Sequence, residues 1–149
     1  MTARANTANP PEVKGCLFCE IIRGERQANI VFQDEISIAF LDHRPLFPGH
    51  CLLITKEHFQ TLTDLPREIV GPLFLNAQRL AAAVQKVMKA EGTFVAVNNI
   101  VSQSVPHFHL HVVPRRKGDG LKGFFWPRQA YKSAEEIASV QRDLAAELK

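Results

Sequence analysis

Residues 104–116 read "SVPHFHLHVVPRR", and three of the chain's six histidines stand at every second position within this stretch. They are His107, His109 and His111, and the residues between them are apolar. This alternation is typical of a β-strand, whose successive side chains point to opposite faces of a sheet, so the three imidazoles should share one face. Neighbours on that face lie roughly 6.6 Å apart. One metal ion does not easily bind all three at about 2 Å each, so the row predicts three positions along a groove, each with its own task.

Length and composition predict a single globular domain. The chain has 149 residues, of which 46% are hydrophobic and 22% are charged, and its net charge is +3. That charge is too small to indicate a nucleic acid partner. No apolar run approaches the roughly 18 residues of a membrane-spanning helix, and residues 1–14 lack the apolar stretch of a secretory signal. We therefore expect a cytoplasmic protein with a disordered lead-in over residues 1–14 and one domain over 15–149.

The pattern of apolar and turn-forming residues predicts an α+β fold. A short helix is expected over 17–23 and a long helix over 66–90, where apolar residues recur three and four positions apart. Ser133 and Glu136 should form a capping box at the start of a C-terminal helix. Five strand-like runs are expected, at 29–33, 37–42, 50–55, 93–98 and 106–114. Because the strands occur in runs with one long helix between them, an antiparallel five-stranded sheet is favoured.

The three cysteines need an explanation other than disulfides, which are not expected without an export signal. Cys16 and Cys19 form a CxxC pair in "CLFCEIIRGE", a spacing that indicates either a metal site or a redox pair in a reducing compartment. Cys51 lies in the apolar run "HCLLIT" and is predicted to be a buried structural thiol.

Four segments of the chain together resemble the histidine triad (HIT) family. In chain order they are "CLFCEIIRGE", "AFLDHRPLFPGH", "LLITKEH" and "SQSVPHFHLHVVPR". The last segment contains the family's signature, in which three histidines alternate with apolar residues and two apolar residues follow the third histidine. The resemblance extends from about residue 16 to about residue 120. It implies a HIT-like fold in a homodimer whose two sheets join into one.

The resemblance also implies a nucleotide hydrolase, or a nucleotidyl transferase or phosphorylase, that acts at an α-phosphate. His109 would be the nucleophile, the main-chain carbonyl of His107 would accept a hydrogen bond from its other ring nitrogen, and His111 would contact the phosphate oxygens. A neutral imidazole, with an unperturbed pKa of about 6.5, can attack phosphorus and form a covalent nucleotidyl-histidine. The expected product is a nucleoside monophosphate such as AMP, released from a dinucleoside polyphosphate, a nucleoside phosphoramidate or an adenylate.

The family's substrate-binding positions have counterparts in this chain. Gln103 and Ser104 match residues that hold the phosphate and the leaving group, and His50 matches a further histidine near the phosphate. Asp42 matches a carboxylate that binds the ribose hydroxyls, although an Asp that follows an apolar strand could instead cap the next turn. The candidates for apolar contact with the base, which could equally be core residues, are Phe18, Ile22 and Phe40.

The loop before the triad departs from the family pattern. Many relatives have the glycine-rich sequence N-x-G-x-x-x-G-Q, whereas this chain has the shorter "NNIVSQ". Asn98 or Asn99 would supply the polar side chain near the phosphate, and Asn99 is taken as the candidate. After the triad, Arg115–Lys117 could meet further phosphates and Trp126 could reach the partner subunit's pocket, or both could be ordinary surface and interface residues.

The resemblance gives the CxxC pair a specific role. Some branches of the family hold zinc through two cysteines, the histidine of a K-x-H segment and the first histidine of the triad. All four are present in this chain: Cys16, Cys19, His58 and His107. Two thiolates and two imidazoles make a closed tetrahedral set, so the zinc would be structural, with no open position for water.

Two hypotheses of other classes stand beside this one. The three histidines could bind a catalytic zinc ion, although alternate residues of one strand do not easily close a tetrahedron. The chain could also be a non-catalytic nucleotide-binding module held together by zinc, although binding alone does not require an intact His109. The sequence contains no P-loop, dinucleotide-binding glycine motif, nucleophile elbow or HExxH motif.

Overall fold

The computed structural model of the chain describes residues 13–121 and 129–148. These residues belong to two compact units, one that ends at Lys117 and one that begins at Gly118, and each unit is described by itself. Two predictions fall outside the described residues: the disorder of residues 1–12 and the role of Trp126.

The first unit contains a five-stranded sheet and two α-helices among its described residues. The helices are α1 (Leu17–Ile22) and α2 (Arg67–Val87), and a short 3₁₀ turn, Leu62–Asp64, precedes α2. The strands are β1 (Ile30–Gln33), β2 (Ser37–Leu41), β3 (Cys51–Thr55), β4 (Gly92–Val97) and β5 (His109–Arg115). The sheet order is β1-β2-β3-β5-β4, and every pair is antiparallel. The predicted α+β fold is confirmed, while extension of the sheet across a dimer stays a prediction.

The strand that carries the histidines begins at His109, three residues later than predicted. Pro106 has no N–H to donate to a strand ladder, so pairing cannot run through it in the regular way. The next two N–H groups also bond outside the ladder, since His107 donates to the carbonyl of Val105 at 2.8 Å and Phe108 donates to the carbonyl of Phe59 at 2.6 Å. His107 therefore lies just before β5, and its side chain is fixed by contacts other than the ladder.

One face of the sheet packs against α2 and forms the larger core. The buried apolar residues of α2 recur three and four positions apart, as predicted. They are Leu73, Ala77, Leu80 and Val84, and they pack with Ala39, Cys51, Leu53, Phe108, Leu110 and Val112 of the sheet face. Cys51 is buried in this core, which confirms its predicted structural role.

The opposite face of the sheet packs against α1. Phe18, Cys19 and Ile21 of this helix join a second buried cluster with Ile38, Phe40, Leu52 and Ile54 of the sheet. His109 lies on this face, because its neighbours Phe108 and Leu110 point into the α2 core. The alternation read from the sequence thus divides histidines from apolar side chains as predicted.

The second unit contains the predicted C-terminal helix, α3, over Ala134–Glu147. The hydroxyl of Ser133 accepts a hydrogen bond from the N–H of Glu136 at 3.2 Å, which is the first half of the predicted capping box. The second half differs, because the Glu136 carboxylate accepts from the N–H of Lys132 at 2.6 Å instead of from Ser133. Across the residues that the structure describes, no helix combines the length and apolar character of a membrane span.

Candidate functional site

A cavity of about 430 Å³ opens on the α1 face of the sheet, beside the histidine row. Its apolar lining comes from α1, β2 and β3: Leu17, Phe18, Ile21, Phe40, Leu41 and Leu52. Its polar lining includes Asp42, Ser104, His109 and His111, which the sequence had placed at the phosphate and ribose. The cavity therefore has an apolar surface suited to a base and a set of hydrogen-bonding groups suited to a sugar phosphate.

His109 is held in one tautomer at the centre of this site. Its Nδ1 lies 2.7 Å from the main-chain oxygen of His107, and a carbonyl can only accept, so Nδ1 carries the proton. The ring is 2% exposed, and the edge of the Phe18 ring packs against it at 5.2 Å between centroids. Burial lowers the pKa of His109 below its usual value, so the ring is neutral at pH 7. The remaining nitrogen, Nε2, is then an unprotonated lone pair in a residue that lines the cavity.

A chain of hydrogen bonds fixes the tautomers of two further histidines. The N–H of Leu46 donates to Nδ1 of His50 at 3.1 Å, so His50 carries its proton on Nε2 when neutral. That nitrogen lies 3.0 Å from Nδ1 of His111, which must accept. The proton of neutral His111 is therefore on Nε2, where it can be donated to a bound phosphate or leaving group.

The neutral state of His50 and His111 follows from their surroundings. Burial, together with the nearby His109 and His50, lowers the pKa of His111 to about 4. Burial also lowers the pKa of His50, against the opposing charge of Asp42. Both rings are thus uncharged at neutral pH, and His111 acts as a hydrogen-bond donor without a full positive charge.

Asp42 caps a turn and also lines the cavity. Its Oδ1 accepts from the N–H of Arg44 at 2.9 Å, which is the turn-capping interaction. Its Oδ2 lies 3.7 Å from Nδ1 of His50, and the residue also lines the cavity. Capping the turn therefore does not remove the carboxylate from the site.

Asp42, His50 and His111 also lie close enough together to hold a cation. The hydrogen-bond chain already accounts for their arrangement, because Nδ1 of His50 accepts from Leu46 and Nδ1 of His111 accepts from His50. The three triad histidines do not converge on one point either, since His107 turns toward the cysteines. This geometry gives the catalytic-zinc hypothesis no support.

A second cluster lies at the start of α1 and contains the four predicted zinc ligands. Cys16 Sγ is 3.5 Å from Nδ1 of His107, and Cys19 Sγ is 3.6 Å from the same atom and 3.3 Å from Nδ1 of His58. All four ligand atoms lie within 4.8 Å of one another. A tetrahedral ion with bonds of about 2.3 Å to sulfur and 2.0–2.1 Å to nitrogen has sulfur–nitrogen edges of about 3.5 Å, so the spacing fits zinc.

The protonation of this cluster also fits a cation. His107 is fully buried and its Nε2 donates to the carbonyl of Thr55 at 2.7 Å, which leaves an unprotonated Nδ1 facing the sulfurs. Burial raises the pKa of the Cys19 thiol to about 11, so a buried thiolate there needs a positive ion beside it. All three cysteines are free thiols, and no described pair forms a disulfide.

The comparison with protein families decides what this arrangement is. The HIT domain matches residues 23–118, well over half of the chain. This chain belongs to the HIT family. The cavity, the histidine row and the cysteine–histidine cluster are thus features of a HIT domain. The four predicted zinc ligands indicate the zinc-containing branch of the family.

Relatives match nearly the whole chain. An uncharacterized HIT-like protein of Mycobacterium tuberculosis is 38% identical over 141 residues, which cover 89% of this chain and 98% of the relative. An adenosine 5′-monophosphoramidase of Saccharomyces cerevisiae is 35% identical and covers 89% of this chain and 82% of its own length.

Solved structures of the family share the fold. A Streptococcus mutans protein superposes with a TM-score of 0.84 at 31% identity, over 93% of this chain and 88% of that chain. A zinc-bound histidine triad family protein from Mycobacterium smegmatis has a TM-score of 0.68 at 37% identity, over 88% and 97% of the two chains. The five-stranded antiparallel fold of this HIT domain is therefore shared with experimentally determined structures.

Three of the predicted substrate-binding residues of the HIT domain, His50, Asn99 and Gln103, do not line the cavity. His50 lies behind His111, to which it is hydrogen-bonded. Asn99 Oδ1 accepts from the N–H of Leu62 at 2.8 Å. Gln103 accepts from the N–H of Ile100 at 2.9 Å and donates to the carbonyl of Gln60 at 2.7 Å. Both side chains therefore brace the loop that leads to Ser104, and their contact with substrate stays a prediction.

Sequence reasoning missed several residues of the site. Ile21 lines the cavity, whereas the predicted Ile22 packs against the α1 cluster. Ile21 is three positions from Phe18, and that helical spacing was the signal that could have found it. The N–H of Leu46 gave no signal, because any residue can supply a main-chain donor.

The basic residues after β5 have structural partners. The Arg116 side chain donates to the main-chain oxygen of Met88, and the N–H of Lys117 donates to the Glu91 carboxylate at 2.9 Å. Neither residue lines the cavity. A contact of this segment with further phosphates stays a prediction.

The loop of the HIT domain that lacks glycine carries backbone strain. Ile100 has φ of +66° and Ser102 has φ of +61°, the left-handed region that L-residues with a Cβ rarely adopt. The hydrogen bonds of the Asn99 and Gln103 side chains hold the loop in this unfavourable backbone conformation.

We expect Ile100→Asn to stabilise the protein by about 1 kcal/mol, because Asn tolerates the left-handed region and Ile100 is exposed. Urea unfolding would measure the change. Val101→Asn is the matched control, since Val101 is also exposed and does not have positive φ. An equal or larger gain in the control would contradict the explanation by strain.

Proposed function

We propose that this HIT protein is a nucleotide hydrolase that attacks the α-phosphate with His109 and releases a nucleoside monophosphate. One observation carries the proposal: Nδ1 of buried His109 is tied to the His107 carbonyl at 2.7 Å, so Nε2 is an unprotonated nucleophile beside the cavity. A neutral imidazole in this tautomer suits covalent catalysis at phosphorus. The name of the yeast relative, an adenosine 5′-monophosphoramidase, supports a nucleoside monophosphate as the product.

The reaction has two displacements. Nε2 of His109 forms a bond to the α-phosphorus while the bond to the leaving oxygen or nitrogen breaks, and the leaving group departs with the electron pair and takes a proton from solvent while Nε2–H of neutral His111 donates a hydrogen bond to it. Water then attacks the nucleotidyl-histidine, gives up a proton to solvent and releases the monophosphate, which restores His109. The hydrogen bond from His50 to His111 at 3.0 Å keeps the ring of His111 oriented in both steps. A transferase or phosphorylase differs only in using another acceptor than water in the second displacement.

The rest of the cavity would bind the nucleoside. Asp42 would accept hydrogen bonds from the ribose hydroxyls, and the apolar lining that includes Phe18 and Phe40 would contact the base. Ser104 lines the same cavity as His109 and His111 and would donate to a phosphate oxygen.

We propose that Cys16, Cys19, His58 and His107 hold a structural zinc ion. The fit of the interatomic distances and the zinc-bound relative from Mycobacterium smegmatis support this assignment. When bound, the ion would neutralise two buried thiolates. His107 connects this cluster to the nucleophile, because the same residue offers Nδ1 to the cluster and its carbonyl to His109.

The function is tested by assaying monophosphate release from diadenosine polyphosphates, adenosine 5′-phosphoramidate and aminoacyl adenylates side by side. Release of AMP from at least one of them supports hydrolysis. Tight nucleotide binding without release from any would support the non-catalytic module instead. Loss of activity on brief treatment with a chelator, with the fold intact by circular dichroism, would support a catalytic metal.

We expect the activity to persist in mildly acidic buffer. The pKa of His111 is lowered to about 4, and the hydrogen bond from His50 requires the neutral ring. Neutral His111 is present above its pKa and is lost as the pH falls through it. His109 must also be neutral to attack phosphorus, and burial lowers its pKa as well. The acidic limb of kcat/KM should therefore lie below the value of about 6.5 for an unperturbed histidine. A limb at 6.5 or above, measured with a substrate that does not titrate in this range, would contradict the assignment.

We also propose a homodimer joined along β4, and expect light scattering to give about twice the 16.7 kDa chain mass at micromolar concentration. β4 is an edge strand, and exposed apolar residues lie on it and on α2: Val95, Phe74, Leu75 and Val87. Val95→Lys should shift the protein toward the monomer. A monomer mass for the parent protein would contradict the proposal.

A further inference from the structure

A second cavity of the first unit lies on the other face of the sheet, away from the histidines. Its volume is about 250 Å³, and it is lined by Val31, Phe32, Asn76, Arg79, Leu80 and Ala83. The four residues of α2 in this set follow at intervals of three, one and three, which places them on one stripe of the helix. β1 is an edge strand, so no further strand among residues 13–121 and 129–148 covers the outer wall.

Asn76 lines this cavity and has an unused hydrogen-bond acceptor. The residue is 7% exposed, and its Nδ2 donates to Asp34 Oδ2 at 2.6 Å and to Ser37 Oγ at 3.0 Å. These two bonds fix the orientation of the amide and leave Oδ1 without a hydrogen-bond donor among the described residues. Oδ1 is not sealed in the core, since Thr55 Oγ1 is the one fully buried side-chain oxygen or nitrogen without a partner in the described part of the chain.

Arg79 supplies a positive charge at the same place. The centre of its guanidinium lies 5.2 Å from the centroid of the Phe32 ring, which it covers. Stacking uses the face of the guanidinium and leaves its N–H groups in the plane free to bind a carboxylate. Asn76 and Arg79 are three positions apart on the helix, so their side chains start about 5–6 Å from each other.

The negative charge of Asp34 lies next to the side-chain amide of Asn76. The Asp34 carboxylate accepts from Ser37 and Ile36 as well as from Asn76. Burial would raise the pKa of Asp34, but these hydrogen bonds outweigh it and hold the pKa below its usual value. A cationic donor is therefore favoured next to the Asn76 oxygen, and an anion next to Arg79.

We propose that this cavity binds a small α-amino acid with a branched apolar side chain. Its carboxylate contacts Arg79, its ammonium group donates to Oδ1 of Asn76, and its side chain lies against Val31, Leu80 and Ala83. A cavity of this size lies below the range of about 300–1,000 Å³ for drug-sized ligands, which limits the occupant to a small metabolite. The site is separate from the histidine cavity and does not depend on the proposed reaction.

Titration of the full chain with L-leucine, followed by ¹⁵N–¹H NMR, tests the proposal. Saturable shifts are expected at the amides of Val31, Phe32 and Ala83. Two analogues test the two polar contacts: 4-methylpentanoate lacks the ammonium group and 3-methylbutylamine lacks the carboxylate. Each should bind at least tenfold more weakly than leucine.

Three variants on α2 complete the experiment. Arg79→Gln removes the charge and Ala83→Leu fills the cavity, and each should weaken leucine binding at least tenfold. Lys86→Gln removes an exposed positive charge that does not line the cavity and should leave binding unchanged. The dispersion of each spectrum verifies folding, since Arg79, Ala83 and Lys86 are all at exposed positions. No saturable shift in the parent, equal binding of either analogue, or unchanged binding in Arg79→Gln or Ala83→Leu would overturn the proposal.

Discussion

His109→Ala should lose at least 10⁴-fold in turnover and still bind nucleotide. Without Nε2 of His109 nothing attacks the phosphorus, while Asp42, Ser104 and His111 still line the cavity. A loss of that size corresponds to about 5.5 kcal/mol of barrier. Steady-state release of monophosphate measures turnover, and calorimetric titration with a nucleoside monophosphate measures binding.

Two comparisons separate the nucleophile from its neighbours. His111→Ala should cost less, on the order of 10²–10³-fold, because it removes one donor to the phosphate. Acid quenching of the parent enzyme during turnover should lose the adduct, whereas alkaline quenching should preserve a nucleotidyl group on His109, since phosphorus–nitrogen bonds to imidazole are labile in acid. Turnover by His109→Ala within tenfold of the parent, or an adduct on another residue, would show that the mechanism is wrong.

Cys19→Ser should remove the zinc and most of the stability of the fold. Cys19 Sγ contacts both histidines of the cluster, at 3.3 Å and 3.6 Å, so its loss opens the tetrahedral set. Structural zinc contributes about 10–16 kcal/mol of apparent binding free energy in small domains, which matches or exceeds the whole stability of a typical protein, about 5–15 kcal/mol. Elemental analysis should give about one zinc per parent chain and almost none in the variant, and urea unfolding should show the lost stability.

Cys51→Ala is the matched control for the loss of a thiol. Cys51 is buried in the α2 core, apart from the four ligands, so this variant should keep its zinc and lose only the stability expected for a small buried side chain. His107→Ala should behave like Cys19→Ser, and its activity should fall indirectly through the lost metal and the altered support of His109. Parent protein without zinc and with a Cys16–Cys19 disulfide would defeat the assignment.

The chain's local patterns determined the fold class and the composition of the site. Alternation around His109 assigned the histidines to one face of a strand, because side-chain direction depends only on the period of the backbone. The α2 stripe was readable for the same reason. The order of segments around the triad then predicted four candidate zinc ligands, which the structure brings together, and four residues that line the cavity: Asp42, Ser104, His109 and His111.

Only the tertiary structure decided which of these side chains are available for chemistry. Leu52 of β3 pairs with His111 of β5. His50 lies two positions before Leu52, so this register brings its ring within 3.0 Å of the ring of His111, which is 61 residues away in the chain. In the folded chain, the side-chain amides of Asn99 and Gln103 likewise form hydrogen bonds with main-chain groups near residue 61.

The physical reason lies in the range of the interactions. Strand and helix periodicity is set by neighbours along the chain, and it can be read from the chain alone. A hydrogen bond between distant segments depends on sheet register and on which other donors reach the same atom first, as Leu46 does at His50 and Ile100 does at Gln103. The tautomers of His50 and His111 were therefore determined by contacts that the pattern of residues does not contain.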